Sequence, residues 1–119
     1  MAEPGQAEPT AVAEEIRREI LQVQEEAYGV GARNIDVLLD DNTIVVLIDV
    51  ELSTAEQTLI DADRPDAVKG MRDGFQAAIA PTFTAIVERA TGRRVQSFLS
   101  SMSMDPLYSV ELFRLEPHA

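Results

Sequence analysis

Two residue types that carry much of protein chemistry are missing or scarce in this chain. Its 119 residues include no cysteine and one histidine, His118. The lack of cysteine excludes disulfides, zinc–thiolate sites, iron–sulfur clusters and thiol nucleophiles. His118 is the penultimate residue, where we expect no packed neighbours to fix its tautomer. We therefore expect it to play no part in a site.

Basic residues and long apolar runs are also scarce. Ten Lys and Arg face 21 Asp and Glu, which gives a net charge of -11. Such a field repels nucleic-acid phosphates and anionic lipid, so we expect neither nucleic-acid binding nor direct membrane insertion. No apolar run approaches the ~20 residues that span a bilayer. The first nine residues lack the basic and apolar regions of a signal peptide, so we expect a soluble cytoplasmic protein.

The length and composition predict one domain with flexible ends. A chain of 119 residues that is 45% hydrophobic can bury a core. Residues 1–10 are rich in Pro, Ala and Glu and are expected to form a flexible acidic tail. Residues 11–116 are expected to form a single α+β domain, and residues 117–119 a flexible C-terminus.

In the first half of the chain, the spacing of apolar residues predicts a helix and a hairpin. The apolar face of the helix comprises Val12, Ile16, Ile20, Val23 and Ala27. Thr10 is the expected N-cap and Gly29 the expected stop. Residues 35–39 alternate as in a half-buried strand, and residues 40–42 (Asp-Asp-Asn) have turn chemistry. The returning strand, residues 44–50, is apolar on both sides and so requires cover on both sides.

The second half begins with two helix-start signals. Residues 53–56 (Ser-Thr-Ala-Glu) fit a capping box and predict a short helix. Pro65 suits the first turn of a longer helix, whose periodicity continues to Gly92. Pro81 removes an amide donor within this helix, so we expect a kink or break near residues 77–81.

The last segment predicts a second hairpin and completes the fold class. Residues 94–102 form one strand, and the next strand begins near Tyr108 after the turn signal Asp105-Pro106. Phe113 and Leu115 depart from the preceding alternation, which suggests a bulge or a strand end covered by a partner. The predicted architecture is α+β, with a four-stranded antiparallel sheet, helices on one face and the order α-β-β-α-β-β.

Several short motifs occur in an order that resembles one protein family. They are Gly29-x-Gly31, Leu52-Ser53-Thr54-Ala55-Glu56, Val68-x-x-x-Arg72, Ile86-x-x-x-x-Thr91-Gly92-x-x-Val95, Asp105-Pro106 and Phe113-x-Leu115. Together they resemble the small bacterial family of component C of a sodium-translocating membrane-potential-generating system (MpsC-like). The resemblance implies an accessory protein of ion or bicarbonate uptake and membrane potential. It also implies membrane transport subunits as possible partners.

Candidate sites for chemistry are few. Ser53 and Glu56 have no nearby histidine or lysine to complete an activation relay, and the capping box accounts for both. We expect no catalytic residue, no metal site and no cofactor. Arg72, Arg93 and Arg94 could form an anion-binding or partner-binding site, a basic exception in an acidic chain. The simpler interpretation of Arg93 and Arg94 is that they offset the dipole at the helix C-terminus.

An excess of apolar side chains on the sheet indicates an interface. Val45, Leu47, Phe98 and Phe113 are expected to face away from the helices, as an exposed patch typical of an interface. This predicts a non-enzymatic interaction module that forms a homodimer or higher oligomer through the sheet, or by strand addition at its edge. Two alternatives stay open. A small-molecule or anion sensor would have a closed pocket beneath the long helix, and a small enzyme would place an acid or base with a shifted pKa there.

Overall fold

The structure, a computed structural model, describes residues 8–118. Three helices and four strands follow one another in the predicted order. They are α1 (Pro9–Tyr28), β1 (Ala32–Asp40), β2 (Thr43–Val50), α2 (Thr54–Asp61), α3 (Pro65–Thr91), β3 (Val95–Met104) and β4 (Leu107–Leu115). The α+β class is therefore confirmed. The tail predicted for residues 1–10 lies largely outside the described residues, as does residue 119.

The start of α1 differs from the prediction by two residues. The N-cap is Glu8, whose carboxylate accepts a hydrogen bond from the amide of Ala11 at 3.0 Å. Thr10, the predicted cap, lies inside the first turn because Pro9 already occupies a first-turn position, where its missing amide costs nothing. The helix ends as predicted at Gly29, which adopts φ 76°.

Two antiparallel hairpins join through their second strands to form the sheet. The strand order is β1-β2-β4-β3, so β2 and β4 are central and β1 and β3 are the edges. All three pairings are antiparallel. The pairing shifts at two places only, between Ala32 and Asn34 and between Val95 and Ser97.

The helices and the hydrophobic core lie on one face of this sheet. Packed there are side chains of α1 and α3 and of alternate positions on all four strands. The fully or nearly fully buried members include Ile16, Ile20, Ile44, Val46, Ile48, Phe83, Val87 and Phe113. We call the opposite side, which no helix of the described residues covers, the open face.

Strand β4 is regular, so the predicted bulge is wrong. Its pairing with β2 runs without a shift from Arg114 to Tyr108. Phe113 and Leu115 therefore lie on the same face as Ser109 and Glu111, all four of them buried. The apparent change of face in the sequence arises because the buried side of β4 is polar in its first half and apolar in its second.

Helix α3 continues without a break through Pro81, which is exposed. It ends at Gly92 with φ 70°, as its glycine predicted. The capping box at the start of α2 is present in full: the Ser53 hydroxyl accepts from the amide of Glu56 at 3.2 Å, and Glu56 accepts from the amide of Ser53 at 2.9 Å.

Candidate functional site

A row of apolar side chains crosses the open face of all four strands. Leu38, Val45, Leu112 and Leu99 are consecutive cross-strand partners on β1, β2, β4 and β3. The side chains at the two ends are well exposed, with Leu38 at 54% and Leu99 at 67%. Because direct neighbours across an antiparallel pair lie about 5 Å apart, the four side chains form a continuous apolar band.

A second, shorter row lies beside the first. Leu47 and Val110 are cross-strand partners on the central strands, and both are half-buried. Charged residues of this face occur toward its margins, as Asp36, Asp40, Asp49 and Arg114. The open face thus has an apolar centre and a polar rim, which is the organisation of protein–protein interfaces.

The four residues predicted to form an interface divide between the two faces. Val45 and Leu47 lie on the open face, as expected. Phe98 and Phe113 do not: Phe113 is fully buried in the core and Phe98 packs against it, with ring centroids 4.8 Å apart. The expectation that these two rings face away from the helices is wrong, because the regular alternation of β4 and its register with β3 turn them inward.

Sequence reasoning missed the other apolar residues of the open face, Leu38, Leu99, Val110 and Leu112. Each alternates correctly within its own strand, so its side of the strand could be inferred. Their assembly into one band depends on the pairing of β2 with β4, which joins residues 59 to 71 positions apart and leaves no local signal in the sequence.

The covered face holds a polar cluster that was also missed. Glu111 on β4 is fully buried, next to its cross-strand partner Ser100. Its Oε1 accepts a hydrogen bond from Nε2 of Gln76 on α3. The other carboxylate oxygen, Oε2, and the Gln76 Oε1 have no partner among residues 8–118. A proton on Glu111 would give this acceptor-rich cluster one more donor.

Burial strongly affects the charge of Glu111. Burial raises the pKa of this carboxyl to about 7, although the neighbouring Ser100 and Ser109 hydroxyls and the hydrogen bond from Gln76 act in the opposite direction. Near neutral pH the side chain therefore changes between a neutral acid and a carboxylate, within the sheet core.

Arg72, one of the predicted site residues, is buried and its guanidinium bonds to other parts of the chain. Its guanidinium contacts both carboxylate oxygens of Glu56 at 2.7 Å and the carbonyl oxygen of Glu51 at 3.0 Å. It also lies over the ring of Tyr28, 3.9 Å from the centroid. Burial acts to raise the pKa of Glu56, but the hydrogen bonds from Arg72 and Ser53 outweigh it and the pKa is lowered.

The other two predicted arginines lie at the far end of α3. Arg93 donates hydrogen bonds to the carbonyl oxygens of Asp41 and Glu116 and to the Asn42 side chain. These bonds connect the end of α3 to the β1–β2 turn and to the residue after β4. Arg94 is exposed. Arg72 is some twenty residues earlier on a helix that rises 1.5 Å per residue, so about 30 Å separate it from the pair. The three arginines therefore do not form one site.

The interior beside the polar cluster is too small for a metabolite. A cavity of about 10 Å³, enough for roughly one water molecule, lies among Gln24, Tyr28, Arg72, Gln76 and Ser109. Across residues 8–118, no three His, Cys, Asp or Glu side chains come together as metal ligands. None of the described helices is both long and apolar enough to cross a bilayer.

Comparison with known proteins gives one family. No curated protein and no solved structure matches the chain. The family model for the Na+-translocating membrane potential-generating system (MpsC) matches residues 9–117, nearly the whole chain. The resemblance read from the short motifs is thereby confirmed, and the chain belongs to the MpsC family of the Na+-translocating membrane potential-generating system.

Proposed function

We propose that this chain is a non-enzymatic, soluble accessory component of a membrane-potential-generating system and acts in the cytoplasm. It works by binding other protein molecules through its sheet: another copy of itself, and the membrane transport subunits of the system. The observation that carries the proposal is the apolar band on the open face, formed by Leu38, Val45, Leu112 and Leu99.

An ordinary solvent-facing side of an antiparallel sheet is polar, because strands with one wet face alternate apolar and polar residues. Here the central strands present Val45, Leu47, Val110 and Leu112 on that side. An apolar patch rimmed by charge marks a contact surface. The band runs across the whole width of the sheet, so a partner of similar width would cover it.

Two features support a non-enzymatic role. Glu111 has the raised pKa typical of a general acid or base, but it lies in the core beside a cavity with room for about one water. Arg72, the cation that lines this cavity, already forms an ion pair with Glu56. Neither Glu111 nor Arg72 is therefore available to contact a substrate.

The first test is the mass in solution. Sedimentation velocity of the purified chain at micromolar concentrations is expected to give a species of about twice 13.1 kDa or larger. A monomer at every concentration would contradict self-association through the sheet.

The second test addresses the transport subunits. A tagged chain isolated from its native cell is expected to carry integral membrane subunits with it. Leu112→Asp, at the centre of the open face, should lose them, whereas Ala55→Asp on the exposed side of α2 should keep them. Circular dichroism checks that both variants fold. Equal recovery with the two variants would show that the open face is not the contact surface.

A further inference from the structure

Resting on the proposed function, we infer that a second copy of the chain pairs with the edge strand β3, about a two-fold axis perpendicular to the sheet. The pairing forms an eight-stranded sheet and places the two α3 helices side by side. The open face stays free, and twice as wide, for other subunits of the system.

The two edges of the sheet differ sharply in charge. Strand β3 holds ten residues, Val95–Met104, and none of them is charged. Strand β1, on the other edge, carries Arg33, Asp36 and Asp40. Charged side chains are a common protection of edge strands against pairing with another chain. The β1 edge has this protection, whereas the β3 edge offers unpaired backbone groups along an uncharged strand.

The helix above this edge is uncharged as well. From Gly74 to Val87, α3 contains no charged residue, although Phe75, Ala77 and Pro81 within this stretch are exposed. Elsewhere the chain is strongly acidic, with 21 Asp and Glu. An uncharged strand and an uncharged helix on the same edge make it the side on which two acidic copies can approach with least repulsion.

Helix and strand meet at one open groove. It is lined by residues 98 and 100–101 of β3 and, on α3, by Lys69, Asp73, Gln76, Ala77 and Ala80. Four strands spaced about 4.8 Å apart are covered by two helices that each need about 10 Å. A second copy across the β3 edge would therefore bring its own α3 to about 10 Å from the first, which is helix-packing distance, and alanine permits close approach.

The position of the two-fold axis follows from Leu99. With 67% exposure, this side chain is the most exposed of the large apolar residues described. A two-fold axis near Leu99 puts it beside its counterpart and joins the two apolar bands into one of eight residues. The same axis passes near Ala77 and Ala80, since the groove sets them opposite residues 98–101. Strand pairing and helix packing thus share one symmetry axis, as a closed dimer requires.

Packing of two copies through their open faces is the main competitor. It would bring Asp36, Asp40 and Asp49 of both copies into the same interface, with Arg114 as a basic residue among them. Six carboxylates at one interface oppose association. The edge arrangement reduces this cost, because β3 carries no carboxylate. The Asp73 carboxylate that lines the groove already forms an ion pair with Lys69 at 3.0 Å.

Two exposed positions separate the two arrangements. Ala77 lies on α3 at the edge, and Leu38 lies on the open face of the distant strand β1. By sedimentation equilibrium, Ala77→Glu is expected to raise the dimer dissociation constant at least about tenfold, a loss of roughly 1.4 kcal/mol. Leu38→Asp is expected to leave it unchanged. Both side chains are exposed in the single chain, and circular dichroism confirms that each variant folds.

A cross-link adds a positive signal, because the chain has no cysteine of its own. Leu99→Cys is expected to form an intermolecular disulfide on mild oxidation, while Leu38→Cys is not, since only residues near the axis reach their own counterpart. A dimer that Leu38→Asp weakens and Ala77→Glu does not would overturn the edge arrangement and leave the proposed function standing. A wild-type chain that stays monomeric would overturn the edge arrangement and the self-association part of the proposed function, whereas binding of the transport subunits is tested separately by their recovery with the tagged chain.

Discussion

Arg72 on α3 holds Glu56 on α2 through two hydrogen bonds, each 2.7 Å long, and the two side chains are only 4% and 2% exposed. Glu56 also completes the capping box of α2 through Ser53. Arg72 in turn contacts the ring of Tyr28 at the end of α1. One buried ion pair therefore connects all three helices at the polar end of the interior.

The first prediction concerns this pair. Arg72→Met is expected to lower the free energy of unfolding by about 3–5 kcal/mol, because it leaves the Glu56 carboxylate buried and unpaired. Arg64→Met is the control, since the Arg64–Asp66 pair is 59% and 75% exposed and solvent screening leaves such a pair little effect on stability. Urea denaturation measures both. Similar losses in the two variants would mean that burial of the pair has no energetic weight.

The second prediction concerns the pH dependence of stability. Burial raises the pKa of Glu111 to about 7 from an ordinary 4.5, so the folded state holds this proton more tightly than the unfolded state. The resulting stabilisation is fully present below pH 4.5 and is lost as the pH rises through 7. A shift of this size corresponds to roughly 3 kcal/mol.

Glu111→Gln tests this assignment, because glutamine keeps the shape but cannot titrate. The unfolding free energy of the variant is expected to rise relative to that of the wild type between pH 5 and pH 8. Taking the difference at each pH removes the contribution of the other carboxylates, because they titrate in both proteins. A difference that stays constant over this range would place the pKa of Glu111 near its ordinary value.

The third prediction separates the two faces of the sheet. Phe113 is fully buried and packs against the Phe98 ring. Phe113→Ala is therefore expected to lower the free energy of unfolding by about 3–5 kcal/mol. Leu38→Ala removes an open-face side chain that is 54% exposed and is expected to cost under about 1 kcal/mol. Chemical denaturation compares the two. A larger loss at Leu38 would contradict the assignment of the core to the helix side.

The sequence predicted features that depend on neighbouring residues. The capping box at Ser53 and the stops at Gly29 and Gly92 appear in the structure, and the hairpin turn predicted for residues 40–42 lies at residues 41–42. Each depends on a side chain or a left-handed φ within a few residues, so the local pattern was sufficient.

The features that it did not predict depend on contacts between distant segments. Nothing in the sequence around Glu111 indicates burial, because a carboxylate is rarely buried without a partner charge. The long-range pairing of β4 with β2 and β3 places it inward. Arg72 looked free to bind an anion, since nothing in the sequence shows that Glu56, 16 residues earlier, approaches it across two helices.

The fourth prediction uses two glycines with equal space around them. A Cβ added at Gly70 or at Gly92 would meet no atom within 4 Å, so packing does not distinguish the two sites. The backbone does, because Gly92 adopts φ 70° and Gly70 lies inside α3.

Gly92→Ala is expected to destabilise the chain by about 1–2 kcal/mol, the cost of a left-handed conformation with a side chain. Gly70→Ala is expected to stabilise it by up to about 1 kcal/mol, because alanine favours a helix interior. Thermal unfolding should therefore shift in opposite directions for the two variants. Shifts of the same sign would mean that α3 does not end at Gly92 in the left-handed cap on which the turn into β3 depends.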